Sequence, residues 1–528
     1  MKIINIVTVL LVASFLASCA PAATVVPTET IVSTSTFTPI PSTPTITPTP
    51  IPTIDIDGQS IPDPHFSNPE LFDLESSDSP IPQFVNSLKM AEIAVDSQQV
   101  ANNIAFEIKT STEGKTFVIG YYNLDPLQNE TSEPLEGKTP FFIALQDENS
   151  KWAWQKVESA DLARLNGYKI GTVVEPSNLN DSKYHNLVLG FSNVIENDFY
   201  LERVLKQGIT VQNAISRIKE AQSSGELDPS EIFDFSEYDS RIKFINENNM
   251  QAESQPLFAP WLFTDEVKRE LQTGKLSESD FEIFLQFYTK SLVERYNGQI
   301  DPLLTVNTWV IGNEVTGNLL WGDAQTKWVM SAAINNGILA RMFITAKKAN
   351  PNAKLMFAED NLFINRETDL RRKFLQVADT LIKQDAPLDS IAIQNHLWLG
   401  QTLLSPTDME SFIQQLEQRN LKIHYNEITI SQSQENPYTG ESVPTVFSNP
   451  YLKQAEFLQA ILQPMKTRKG MMIFYSICDT PGPFDQYNLN DQTAKAVMFS
   501  ANTPSFTQDT KLEPRPMYYV LLQFLMEQ

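Results

Sequence analysis

Hydrophobic positions along the chain change their period near Asp161. Before it, apolar and polar residues alternate. Val100–Ile108, Thr116–Leu124 and Phe141–Val157 read as strands, parted by turns at Glu113-Gly114 and Glu136-Gly137. They predict a small antiparallel β region over residues 82–159. Tyr121, Tyr122, Trp152 and Trp154 lie on these strands. They suit a sugar-stacking face or, more commonly for aromatics on short strands, a core.

After Asp161, short apolar runs recur at Ile170–Val174, Ser192–Ile195, Met250–Glu253, Thr305–Ile311, Leu355–Ala358, Ser390–Ile393, Lys422–Tyr425 and Met471–Ser476. Between most of them the apolar period is helical. One helical pattern carries Trp328, Ala332, Leu339, Phe343 and Ala346, and another carries Phe374, Val377, Ala378 and Leu381. Eight strand–helix units over residues 160–528 predict an α/β fold, a (β/α)8 TIM barrel. An open doubly wound sheet is the rival, but no glycine-rich phosphate loop follows the first run.

The first 64 residues carry neither period. Lys2 and the apolar stretch Ile3–Leu16 read as a signal peptide over residues 1–18. It ends in Leu16-Ala17-Ser18-Cys19, which resembles a bacterial lipobox and implies a lipidated Cys19. Residues 19–64 are rich in Thr and Pro, as in TPIPSTPTITPTPIPT, and predict an extended linker. The expectation is an exported protein, held at the bacterial cell surface through an N-terminal lipid anchor in the membrane.

Composition narrows the chemistry. The 528 residues carry a net charge of −24, and no Lys/Arg cluster offers itself to a phosphate backbone, so nucleic acid is excluded as a partner. A neutral polymer suits this balance. Two cysteines make no disulfide framework, and with four histidines they show no metal-ligand spacing. No cofactor motif is present, so none is expected. A monomer is expected.

In a barrel of this kind chemistry sits at the C-terminal ends of the strands. Two strands end alike: Thr308-Trp309-Val310-Ile311-Gly312 runs into Asn313-Glu314, and Lys422-Ile423-His424-Tyr425 runs into Asn426-Glu427. A single Asn-Glu is an ordinary loop or helix start. A pair on the fourth and seventh strands puts two carboxyls at one mouth. That is what acetal hydrolysis requires, one group to protonate the leaving oxygen and one to meet the oxocarbenium-like centre. Glu314 is the expected acid/base and Glu427 the expected nucleophile.

From these residues the chain resembles glycoside hydrolase family 10, the endo-1,4-β-xylanases, over roughly Asp161–Leu525. Gly171-Thr172-Val173-Val174 looks like the family's first strand, and Leu179-Asn180-Asp181 with Tyr184 like the stretch after it. Phe233-Asp234-Phe235 with Asp239 looks like its helix entry, and Asn361 like the last residue of strand five. The resemblance implies sugar binding by Glu196-Asn197 and a 2-hydroxyl contact from Asn313. It also implies that His396, in Gln394-Asn395-His396-Leu397, lies against the nucleophile.

The departures concern the sugar-reading shell. The family's His-Thr-Leu-Val-Trp-His on strand three is Gln255-Pro256-Leu257-Phe258-Ala259-Pro260 here. Its strand-two Lys and the following Trp appear as Tyr200 and Leu201, and the Trp after strand eight as Phe474 or Tyr475. Gln255 and Tyr475 are the expected sugar contacts at these positions. A helical insertion at about Glu202–Gly225 is expected beside the same side of the cleft. The leading expectation is a retaining hydrolase of β-1,4-linked polysaccharide, with xylan first. The alternatives are a surface glycan-binding lipoprotein on the same barrel and a structural surface lipoprotein.

Overall fold

The structure, a computed structural model, describes residues 51–124, 135–174, 181–225, 227–432, 448–478, 498–501 and 510–527. The signal peptide, Cys19, most of the linker, and Leu179 and Asn180 lie outside these residues.

The described chain opens with a hairpin of β1 (Thr53–Ile56) and β2 (Gln59–Pro62). It falls inside the stretch read as linker. Its turn is Asp57-Gly58, with φ of 49° and 80°, the left-handed pair that a two-residue hairpin favours. A four-stranded antiparallel sheet follows: β3 (Ala105–Thr110), β4 (Thr116–Leu124), β5 (Gly137–Gln146) and β6 (Trp152–Lys156). Two strand expectations change. Val100 lies in a short helix, Ser97–Asn102, because Asp96 caps it by accepting from the Gln99 N–H at 2.7 Å. Phe141–Val157 is two strands, parted where Asp147 accepts from the backbone N–H groups of Asn149 and Lys151, both at 2.8 Å.

The aromatics of this sheet serve packing. Trp154 is buried, donates from Nε1 to the Pro62 carbonyl at 2.7 Å, and meets Phe106 edge-on. Tyr122 is buried against Phe84.

Eight parallel strands then close into a barrel. They are β7 (Lys169–Val173), β8 (Val194–Asp198), β9 (Gln251–Gln255), β10 (Thr308–Asn313), β11 (Lys354–Glu359), β12 (Ser390–Trp398), β13 (Lys422–Ser431) and β14 (Met471–Phe474). Two further strands, β15 (Phe499–Ala501) and β16 (Leu512–Pro514), pair antiparallel. Val173, Val194, Val310, Met356, Ala358, Ala392, Met471 and Ile473 form an apolar cluster of their own, and alternation along the strands makes it the barrel filling. Gly171 has no room for a side chain, since a Cβ there would lie 2.1 Å from the Val194 carbonyl oxygen.

Two helical expectations also change. The run from Trp328 to Ala346 is two helices, Ala324–Asn335 and Ile338–Ala349, broken at Gly337 with φ 74°. The insertion after Leu201 forms helix Val211–Ser224, which packs on the barrel's outer helix Glu278–Arg295. Its apolar residues Val211, Ala214, Ile215 and Ile218 are buried there, so it does not wall the cleft.

Candidate active site

Four consecutive strands bring ionisable side chains to one rim. Glu314 directly follows β10, Asp360 directly follows β11, β12 carries His396 and β13 carries Glu427. The ladder is irregular there: register shifts fall between Val310 and Gly312, between Gln394 and His396, and between Tyr425 and Ile428. Such bulges re-aim side chains beside active sites. Both expected carboxylates also have left-handed backbones, Glu314 with φ 49° and Glu427 with φ 54°. That conformation costs a non-glycine residue on the order of 1 kcal/mol or more, and surrounding structure must hold it. Glu314 is held by its N–H on the Ala358 carbonyl at 3.1 Å and by the Asn318 amide on its own carbonyl at 2.8 Å.

Glu427 is buried and accepts from three side chains. Gln255 and Gln394 both donate amide N–H groups to Oε1, and His396 Nε2 lies 2.9 Å from Oε2. Burial opposes a charge on His396. The hydrogen bond to Glu427 and the carboxylates of Asp360, Glu427 and Glu314 outweigh it and push the imidazole up to about 9. At neutral pH His396 is therefore a cation donating to Glu427. Its Nδ1 lies 3.2 Å from Thr429 Oγ1, and its ring stands edge-on to Tyr475 at 5.2 Å.

Glu314 keeps part of its surface at the mouth. Even so, burial first, then the charges of Asp360, Glu427 and Glu359, hold it well above the usual carboxylate range, with His396 pulling the other way. A carboxyl that holds its proton more tightly than usual, beside one that accepts hydrogen bonds on both oxygens, makes the unequal pair that acid–base work needs. Glu359 lies behind Glu314. Its Oε2 accepts the Thr316 and Gly317 N–H groups at 2.8 and 3.2 Å, which caps helix Val315–Trp321.

On the far side of Glu427, Gln255 joins β9 to β8 and β13. Its amide nitrogen also donates to Glu196 Oε1 at 2.5 Å, and its Oε1 accepts from Asn426 at 3.0 Å. Glu196 is pushed well above the usual range by burial first, then by Glu253, Glu427 and Asp198. Glu253 is raised likewise, by burial and by Asp198 and Glu427, and neither of its carboxyl oxygens has a hydrogen-bond partner among the described residues. Tyr200 reaches Asp198 with its hydroxyl at 3.3 Å.

The structure thus gathers Glu314, Glu427, Glu196, Gln255, His396 and Tyr475. Asn313 ends β10 nine-tenths buried or more, with an Oδ1 that has no partner among the described residues. Asn197 is turned away. It lies with Ile195, Phe244 and Ile245, and its Oδ1 is 3.4 Å from Arg241 Nη1, as strand alternation demands when Glu196 faces inward. Sequence reasoning missed Glu253, Glu359 and Asp360. Period two would have found Glu253, two residues before Gln255 on one strand.

Comparisons with known proteins bear on the fold that holds these residues. Xylanase 10B from Thermotoga petrophila, solved in complex with xylobiose, superposes with a TM-score of 0.51 at 17% identity, covering 71% of this chain and 98% of that one. A GH10 structure from Paenibacillus barcinonensis gives 0.51 at 18% identity, covering 70% and 97%. Xylanase B from Clostridium stercorarium F9 gives 0.51 at 15%, covering 69% and 99%. At such identities the likeness is one of fold. No curated protein sequence matches the chain. The family model described as glycosyl hydrolase family 10 matches residues 159–522, more than half of the chain, and the chain belongs to that family.

Proposed function

We propose that this glycoside hydrolase cleaves a β-1,4-linked polysaccharide, with xylan the first to test, and that it retains anomeric configuration through double displacement. Glu314 gives its proton to the leaving oxygen while Glu427 attacks the anomeric carbon. Glu314 then takes a proton from the water that releases the glycosyl-enzyme ester. The observation that carries this reading is the asymmetry of the pair. Glu427 accepts from Gln255, Gln394 and a cationic His396, whereas burial first, then the neighbouring acidic groups, hold Glu314 well above the usual carboxylate range. Pure glycan binding has no use for such a pair.

The test compares the wild type with Glu314→Gln and Glu427→Gln on xylan, mixed-linkage glucan, mannan and aryl β-glycosides. Glu427→Gln is expected to lose activity on every substrate. Glu314→Gln should lose it on polysaccharide and keep part of it on aryl glycosides with good leaving groups, where acid help matters less. Azide should rescue the two variants to products of opposite anomeric configuration. Binding without turnover in all three proteins would instead favour a surface glycan-binding role.

A further inference from the structure

Between Glu314 and Glu427 the rim carries a third carboxylate that double displacement does not use. Asp360 follows β11, in the arc between the acid on β10 and the histidine on β12. It is only 9% exposed. Its Oδ1 accepts the Asn361 N–H at 2.6 Å and has the His396 backbone N–H at 3.4 Å, while the Asn361 side-chain amide donates to Oδ2. Asn361 has φ 61°, the left-handed conformation that neighbours Glu314 and Glu427 also adopt. No Lys or Arg forms an ion pair with Asp360 among the described residues.

We propose that Asp360 is a positioning residue for the reaction: seated between Glu314 and His396, its carboxylate keeps the proton on the first and the charge on the second. The proposal rests on the reading of Glu314 as the acid. Four groups bear on Asp360: Glu314 beyond β10, Glu359 on its own strand, His396 on β12 and Glu427 on β13. Among the charges that raise Glu314, Asp360 stands ahead of Glu427 and Glu359. Glu359 itself is pushed up to about 8, by burial first and against the pull of the Gly317 and Thr316 N–H groups, so it is largely neutral at pH 7. Burial, opposed by His396, brings Asp360 to about 6. Its negative charge therefore develops as pH rises through about 6, and once present that charge makes the proton of Glu314 harder to remove. Each proton that leaves makes the next one harder to remove.

The experiment is the pH profile of kcat/KM on an aryl β-glycoside with a poor, phenol-like leaving group, for the wild type, Asp360→Asn, Asp360→Glu and Glu314→Gln. Asp360→Asn removes a negative neighbour, so Glu314 and His396 both lose protons more readily. The alkaline limb is expected to move down by on the order of one pH unit, and Asp360→Glu to return it towards the wild type. A uniform loss at every pH, with the limb in place, would overturn the proposal and leave a structural role. If Glu314→Gln keeps the wild-type bell, the acid assignment falls and this proposal with it. If Glu314→Gln loses the activity while the Asp360→Asn limb stays, only this proposal falls. Should Asp360→Asn not fold, histidine-labelled wild-type protein decides by NMR. His396, assigned by difference against His396→Gln, is expected to remain charged beyond pH 8 with a chemical-shift step near pH 6. Titration like a free imidazole, without that step, would overturn the proposal.

Discussion

Gln255 has one amide nitrogen, and two carboxylates share it. Glu196 and Glu427 both accept from Nε2, while Oε1 takes the Asn426 amide. A neutral amide is the one common side chain that donates to two acids and accepts from a third group at once. Gln255→Leu would leave three buried polar groups without that partner, at a cost of about 1–3 kcal/mol for each such group before relaxation. We expect a large drop in kcat and a urea midpoint lowered by a few kcal/mol equivalent, read by enzyme assay and equilibrium unfolding. Wild-type kcat in a destabilised protein would show that Gln255 serves only the core. At this scale the sequence was partly legible. Glu314 and Glu427 announced themselves by repetition of Asn-Glu at two strand ends. Asp360 and Glu253 did not, because an acidic residue next to an apolar run ordinarily reads as surface. Only the closed barrel shows that these carboxyls are buried.

The strands that hold these residues are irregular where they reach the mouth. Left-handed backbones and shifted registers let Glu314, just past β10, and Glu427, within β13, turn into the mouth. Helix Val315–Trp321 completes the arrangement, for its first N–H groups sit on Glu359. Gly317 is where this close approach shows. A Cβ there would lie 3.0 Å from Glu359 Oε1 and 3.5 Å from the Trp321 ring. Gly317→Ala gains about 1 kcal/mol of helix propensity, yet it presses on the carboxyl that seats the acid's helix. We expect thermal stability to change little while kcat/KM falls by about tenfold, as a small misplacement of a catalytic group would cause. Unchanged kcat/KM would show that Glu359 yields without moving Glu314. All eight barrel strands were legible as apolar runs, since burial on both faces leaves little room for polar residues. The helix break at Gly337 and the hairpin turn at Asp57-Gly58 were written in the chain as Asn-Gly and Asp-Gly. They were overlooked because a helical period continued past the first and a Thr/Pro-rich tract ran up to the second.

At the scale of the molecule, the sheet of β3–β6 and the barrel share one helix. Pro516–Met526 is buried along its whole length. Helix Pro80–Met90 and β5 meet it on one side, through Phe84 against Tyr519 at 4.9 Å, and helix Ser159–Asn166 meets it on another. The family match begins only at residue 159, but the barrel is not expected to stand alone from there. A chain of residues 159–528 would uncover the Tyr519 face of that helix, and exposed apolar area of this kind drives association. We expect such a chain to aggregate or bind a hydrophobic dye, whereas residues 51–528 stay monodisperse by light scattering. A soluble, cooperatively unfolding 159–528 would show the sheet to be dispensable. The sequence predicted a β region beside a barrel. It was silent on their shared helix, because an apolar helix looks the same whichever neighbours cover it.

That shared helix also dictates an order of events during synthesis. Gln523 donates to the Leu135 carbonyl and to Thr139 Oγ1, across 388 and 384 residues of chain, and Lys109 reaches the Met526 carbonyl. The sheet is made early and its last wall is made late. Phe72 and Phe84, made before β5, already pack on Phe142 and Phe141; until the ribosome has passed Met526, the part of β5 that the last helix covers stays open, and it must be shielded from the edge strands of other nascent chains.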